Sequence, residues 1–154
     1  MPVQLISEHP DIDSAAVKSC LRTGELLLDA CSTLDHQFSI LLTSDDSVRK
    51  LNRDYRHIDM PTNVLSFPFA IDEQAFRDLI GNLELGDVVI SVDRAAAEAR
   101  DGHCTLQQRL NWLIVHGFLH LLGYDHEASE EDAELMLRKE QELLAELAAG
   151  EDGG

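Results

Sequence analysis

Three histidines fall within one eleven-residue stretch, His116-Gly117-Phe118-Leu119-His120-Leu121-Leu122-Gly123-Tyr124-Asp125-His126. Seven histidines in 154 residues would put only about half of one in such a window. His116 and His120 are four apart, so on a helix both imidazoles project from one face, one turn apart. That spacing suits two ligands of one tetrahedral metal ion. Gly123 can adopt the left-handed conformation that ends a helix, and the chain can then turn back to present His126 to the same ion. Three histidines with a fourth position left for water describe a catalytic zinc site. The alternative is three hydrogen-bonded core histidines. The surrounding residues Leu110, Leu113, Ile114, Val115, Phe118, Leu119, Leu121 and Leu122 make this a core helix, where three imidazoles would each need a separate partner. One metal satisfies them together.

The spacing H-x-x-x-H-x-x-G-x-x-H is also that of the metzincin proteases, which place a glutamate directly after the first histidine as general base. Here that position is Gly117, so peptidase chemistry lacks its proton acceptor.

The elements that must position these groups follow from patterning. Residues 3–7 read as a first strand, and Asp11 or Asp13 can cap a helix reaching Cys31. Residues 38–43 (FSILLT) read as a buried strand. Ser44 suits the N-cap of a helix over residues 45–55, with Val48, Leu51 and Tyr55 on one face. Residues 64–69 (VLSFPF) are strand-like, and Pro68 favours an edge. Residues 71–82 read as a surface excursion, 85–90 as the clearest strand, and 93–100 as an alanine-rich helix. Thr105 precedes the histidine helix, which runs to about residue 122. Ser129 with Asp132 resembles a capping box for a last helix to about 147, with residues 150–154 frayed. The predicted fold class is α+β (α/β-like): one domain over residues 1–148, a small mixed four-stranded sheet with about five helices, then an acidic, glycine-containing tail over 149–154.

Two further motifs complete the pattern. One is Asn52-Arg53-Asp54-Tyr55-Arg56, then Asp59, then Pro61-Thr62-Asn63-Val64-Leu65-Ser66-Phe67-Pro68; the other is Leu85-Gly86-Asp87-Val88-Val89-Ile90-Ser91. With the histidine signature, these make the chain resemble the YbeY family of bacterial endoribonucleases, which are rRNA maturation factors, over roughly residues 3–147. The resemblance implies a zinc-dependent endoribonuclease acting on single-stranded RNA, in 16S rRNA 3′-end maturation and ribosome quality control. It implies that His116, His120 and His126 are the ligands of one Zn2+. It also implies the small ribosomal subunit and ribosome-associated proteins as partners, and that Arg56 is functionally essential. One stretch departs from the family. Where the family usually reads Arg-Gly-Lys-Asp-Lys-Pro-Thr, this chain reads Arg56-His57-Ile58-Asp59-Met60-Pro61-Thr62. Two lysines are thereby lost, which leaves more of the grip on RNA to Arg56.

The residue chemistry agrees. Phosphodiester cleavage concentrates negative charge on non-bridging oxygens, and a planar guanidinium can clasp two of them. Arg56, where a helix gives way to a loop, is expected to be that clamp. Asp125, beside a ligand, could orient an imidazole or cap the turn; Asp87 is a second candidate for the orienting role, with a structural role as its favoured reading. The remaining histidines, including His57 and His103, read as surface residues or carry no signal. Trp112 reads as core, Tyr124 as core or base-stacking, and Phe67 and Phe69 as packed.

Composition limits the partners. The net charge is −17, from 12 Lys+Arg and 29 Asp+Glu. Residues 127–154 hold ten acids and two bases, nearly half of that charge. Residues 49–56 (RKLNRDYR) run the other way. A broadly basic duplex-binding face is excluded, so DNA is not an expected partner, nor is an anionic membrane. No window approaches the ~18 uninterrupted apolar residues of a membrane span, and the N-terminus does not read as a signal peptide. Cys20, Cys31 and Cys104 lack disulfide spacing: on one helix the first two would lie about 16 Å apart. They read as bystanders in a reducing cytoplasm. Two other functions remain open, a zinc hydrolase of amides or other esters and a ribosome assembly factor with structural zinc.

Overall fold

A computed structural model describes residues 3–31, 36–68, 83–124 and 129–152. Its order is β1 (Val3–Ser7), α1 (Ser14–Ala30), β2 (His36–Thr43), α2 (Asp45–Arg56), β3 (Val64–Pro68), β4 (Leu83–Ser91), α3 (Val92–Asp101), α4 (Leu106–Leu121) and α5 (Glu130–Asp152). The four described strands form one sheet in the order β1-β2-β4-β3. β1, β2 and β4 run parallel, and β3 is antiparallel to β4. This is the mixed four-stranded α+β fold expected. β3 lies at an edge, where Pro68 removes no ladder bond that the sheet needs.

Strand alternation sorts the side chains. Phe38, Ile40, Leu42, Val88 and Ile90 face a core completed by α1, α4 and α5. Leu65 and Val89 face the other way, onto Val48 of α2. On α4, Leu110, Leu113, Ile114, Phe118 and Leu119 are fully buried, each worth about 1.5–3 kcal/mol relative to exposure. Such burial fixes the rotation of α4, and with it the direction of every other side chain on the helix.

The caps are local. The Asp13 carboxylate accepts from the Ala16 N–H at 2.8 Å, and Ser44 Oγ from the Ser47 N–H at 3.2 Å. Thr105 and Gln108 form a reciprocal capping box at the start of α4. Ser129 Oγ accepts from the Asp132 N–H. The last helix continues to Asp152, five residues past its expected end, because a single Gly150 costs a helix only about 1 kcal/mol and does not stop it. The expected surface excursion at 71–82, and Phe69, lie outside the described residues. No described helix is long and apolar enough to cross a membrane.

Candidate metal and phosphate site

The site forms where α4 crosses the edge strand. Gly117 sets the approach: a Cβ there would lie 2.6 Å from Val88 Cγ1. The Ser66 hydroxyl donates to the Gly117 carbonyl at 3.0 Å, tying β3 to the helix. Position 117 therefore points into the sheet. The glycine standing where a protease carries its base is a packing requirement, and a glutamate there would collide with β4.

With residue 117 against the sheet, His116 and His120 face a cleft of about 570 Å³, also lined by Arg56, Thr62, Asn63, Ser66, Gly123 and Tyr124. The two imidazole Nε2 atoms lie 3.2 Å apart. Two nitrogens bound at 2.0–2.1 Å to one tetrahedral zinc are themselves separated by about 3.3–3.4 Å. The pair thus fits one edge of such a site without rearrangement. Asp125 and His126 lie outside the described residues, within which no group of three His, Cys, Asp or Glu converges on one point. Gly123, at φ 101°, supplies the positive-φ exit from the helix.

Arg56 reaches the cleft from the last residue of α2. Its Nη2 donates to the Ser66 carbonyl at 2.6 Å, and its guanidinium lies 5.7 Å from the Phe67 ring centroid. One arm is thus held by the edge strand. Just beyond, His57 takes the left-handed conformation (φ 61°, ψ 30°) that ends α2. Asn63 on the rim donates to Glu98 at 3.2 Å. Glu98 also accepts from Arg109 of α4 at 2.8 Å, which fixes the rim loop to the histidine helix.

The structure sharpens the sequence reading at four residues. Asp87 is exposed and lies in a separate groove with Tyr55 and Phe67. In β4 it points to the opposite sheet face from Val88, which packs beneath Gly117. Strand alternation therefore removes it as a partner of His116 or His120. Tyr55, expected on the buried face of α2, is 69% exposed and contacts Phe67 edge-on at 5.7 Å. Trp112 is only half-buried and does more than fill the core. Its ring stacks on His116 with centroids 4.9 Å apart and 14° between planes, and the Arg109 guanidinium sits 4.3 Å from its centroid. Glu140 carried no signal in the sequence, being one of ten acids in the last 28 residues. It is buried, and its Oε1 lies 2.5 Å from His116 Nδ1. Tyr124 lines the cleft and packs partly on the core.

Facing histidines on a buried helix, with an anchored arginine across an open cleft, define a class: small α+β proteins that gather their polar chemistry around one cleft between a core helix and an edge strand. Comparison with known proteins narrows the class. A profile of the family described as Endoribonuclease YbeY matches residues 7–148. The chain is 44% identical over 130 residues to the endoribonuclease YbeY of Geobacter sulfurreducens, covering 84% of this chain and 85% of that one. It is 46% identical over 143 residues to that of Anaeromyxobacter dehalogenans, covering 93% of this chain and 70% of the other. A Thermotoga maritima protein solved in solution shares the fold, with a TM-score of 0.68, 24% identity, and coverage of 98% of this chain and 92% of that one. The chain belongs to the YbeY endoribonuclease family.

Proposed function

We propose that this protein is a zinc-dependent endoribonuclease that hydrolyses single-stranded RNA, acting with the small ribosomal subunit and its associated proteins in 16S rRNA 3′-end maturation and ribosome quality control in the cytoplasm. The observation that carries this reading is the placement of Arg56 in the same cleft as the facing His116 and His120 nitrogens. Family membership supports RNA as substrate.

In this reading His116, His120 and His126 hold the ion. Bound there, zinc supplies Lewis acidity and a hydroxide nucleophile at neutral pH. Arg56 binds the scissile phosphate. The Ser66 carbonyl fixes one arm of its guanidinium, so the remaining N–H groups present a set direction to the non-bridging oxygens as charge grows there. Thr62 and Asn63 close the rim beside Arg56. Tyr124 offers a ring beside the site on which a flanking base can stack. An open cleft admits a single strand, whereas a duplex would have to bring two phosphate backbones against a chain of net charge −17.

The test is cleavage of a short single-stranded RNA by zinc-loaded parent, His120→Ala and Arg56→Ala proteins, with a chelator control and a parallel panel of peptides and simple esters. We expect chelation and His120→Ala to abolish cleavage. Arg56→Ala should lower kcat by about 10²–10³-fold, as for loss of a transition-state donor. Full activity in the His120 variant sinks the zinc mechanism. Hydrolysis of the panel but not of RNA would move the protein to another hydrolase class, and zinc binding without any hydrolysis would make it an assembly factor.

A further inference from the structure

We infer that Glu140 of α5 is a positioning residue for His116, holding the ring so that its Nε2 lone pair points into the cleft. The inference deepens the proposed zinc site and rests on that reading for the identity of the ion. A residue in the acidic last helix thereby becomes part of the site.

The two ring nitrogens of His116 have different surroundings. Nδ1 faces Glu140 Oε1 at 2.5 Å. Nε2 faces His120 Nε2 at 3.2 Å, inside the cleft. The contact is a hydrogen bond when Nδ1 carries the N–H and the Glu140 carboxylate accepts it. A neutral imidazole has one N–H, which leaves the lone pair on Nε2, the atom placed to bind a metal. Metal-bound histidines are commonly oriented in this way by a carboxylate on the other nitrogen.

Burial points the same way. Glu140 is 5% exposed, on a helix whose other described acids lie largely toward solvent. Taking a carboxylate out of water costs several kcal/mol unless it is well partnered, so its burial against a site histidine calls for a function there. Sequence position accounts for the geometry. Met136, Glu140, Leu143 and Leu147 recur at helical spacing and are all buried. Glu140 is the one polar member of that stripe, placed where α5 crosses His116. Trp112 stacks on the same imidazole, so the ring is held both in its plane and against rotation.

The test compares parent, Glu140→Gln and Glu140→Leu in two measurements that use no RNA. The first is zinc affinity by competition with a chromophoric chelator, alongside denaturant unfolding of each metal-free protein. The glutamine keeps shape and a weaker acceptor, and the leucine keeps volume alone. We expect zinc affinity to fall about tenfold in Glu140→Gln and about 100-fold in Glu140→Leu, with the metal-free glutamine variant retaining the parent's unfolding midpoint. The second is the imidazole N–H spectrum of the metal-free protein. A far-downfield, slowly exchanging His116 Nδ1–H in the parent is expected to vanish in Glu140→Leu. Zinc affinities within twofold of the parent in both variants, or no such resonance in the parent, would overturn the inference. A change in stability of the metal-free glutamine variant matching its loss of zinc affinity would also overturn it, because Glu140 would then be only a helix clamp. Absence of RNA cleavage bears on the proposed function and leaves both measurements unaffected.

Discussion

At the scale of single residues, Arg56 carries the sharpest prediction. Its Nη2 is committed to the Ser66 carbonyl, so its role depends on having further N–H groups in a fixed plane. Lysine has one ammonium and no fork; it can satisfy Ser66 or a phosphate, but not both in the same geometry. Arg56→Lys is therefore expected to lose cleavage by about 10²-fold or more while the thermal midpoint stays within a degree or two of the parent. Parent-like turnover in a kinetic assay on an RNA oligomer would rule out the clamp. Gly117 offers a test of packing. Elsewhere in a helix Gly→Ala stabilises by about 1 kcal/mol, but here the added Cβ meets Val88 at 2.6 Å. Gly117→Ala should instead destabilise by about 1–3 kcal/mol, measured by denaturant titration. The residue types of the site were legible in the sequence wherever their spacing was local. His116, His120 and Arg56 stand within recognisable motifs, and the structure puts them around one cleft. Glu140 was not legible, because its partner is 24 residues away and nothing local separates it from Glu142 or Glu146. For Asp87 the sequence left an orienting role open beside the favoured structural one, and the period of two in β4 turns the side chain to the other face.

At the scale of elements, the ends of helices decide where the site residues stand. α2 stops after Arg56 because His57 adopts a left-handed conformation, which the family's usual glycine takes without strain. A non-glycine residue there costs about 1 kcal/mol, so His57→Gly is expected to raise stability by about 0.5–1 kcal/mol in chemical unfolding, with cleavage retained. A second junction joins β1, α2 and α3. Asp93 accepts from the Asp45 N–H at 2.8 Å and from His9 Nε2 at 2.8 Å. Those bonds, the Asp45 N–H first, hold its carboxyl below the usual 3.8. A carboxylate with a lowered folded pKa adds stability above its unfolded value and loses it as pH falls through the folded one. Unfolding midpoints of parent and Asp93→Asn should therefore differ at pH 7 and converge as pH drops below about 4; a constant gap across that range would show that Asp93 contributes by packing alone. Most elements could be read from sequence because caps and periodicity are local: Asp13, Ser44 and Thr105 cap the helices expected of them. The pairing of β4 between β2 and β3 could not, since strand order is set by long-range burial.

At the scale of the whole molecule, the charge of −17 takes on a structure. The last helix is largely a solvated acidic face, but Glu140 turns inward and belongs to the site. The cationic segment ending at Arg56 is partly neutralised by nearby acids: Arg49 pairs with Asp59, Lys50 with Asp46, and Arg53 with Asp54. The two positions where the resembled family carries lysine are Ile58 and Met60, 49% and 63% exposed on the loop after Arg56. On the proposed function, this chain contacts RNA phosphates with few cations, so its affinity for free RNA should be low and its salt dependence shallow. Restoring the cations gives a quantitative test. Each new phosphate contact on a single strand steepens the slope of log K against log salt by about 0.7. The double variant Ile58→Lys/Met60→Lys should thus bind a single-stranded oligomer more tightly at low salt, with a slope steeper by about 1.4, read by fluorescence anisotropy from 50 to 300 mM salt. The loop is exposed, so the fold should tolerate both changes. An unchanged slope would place the RNA path away from this loop, and the strand would then have to reach Arg56 from the Tyr124 side of the cleft.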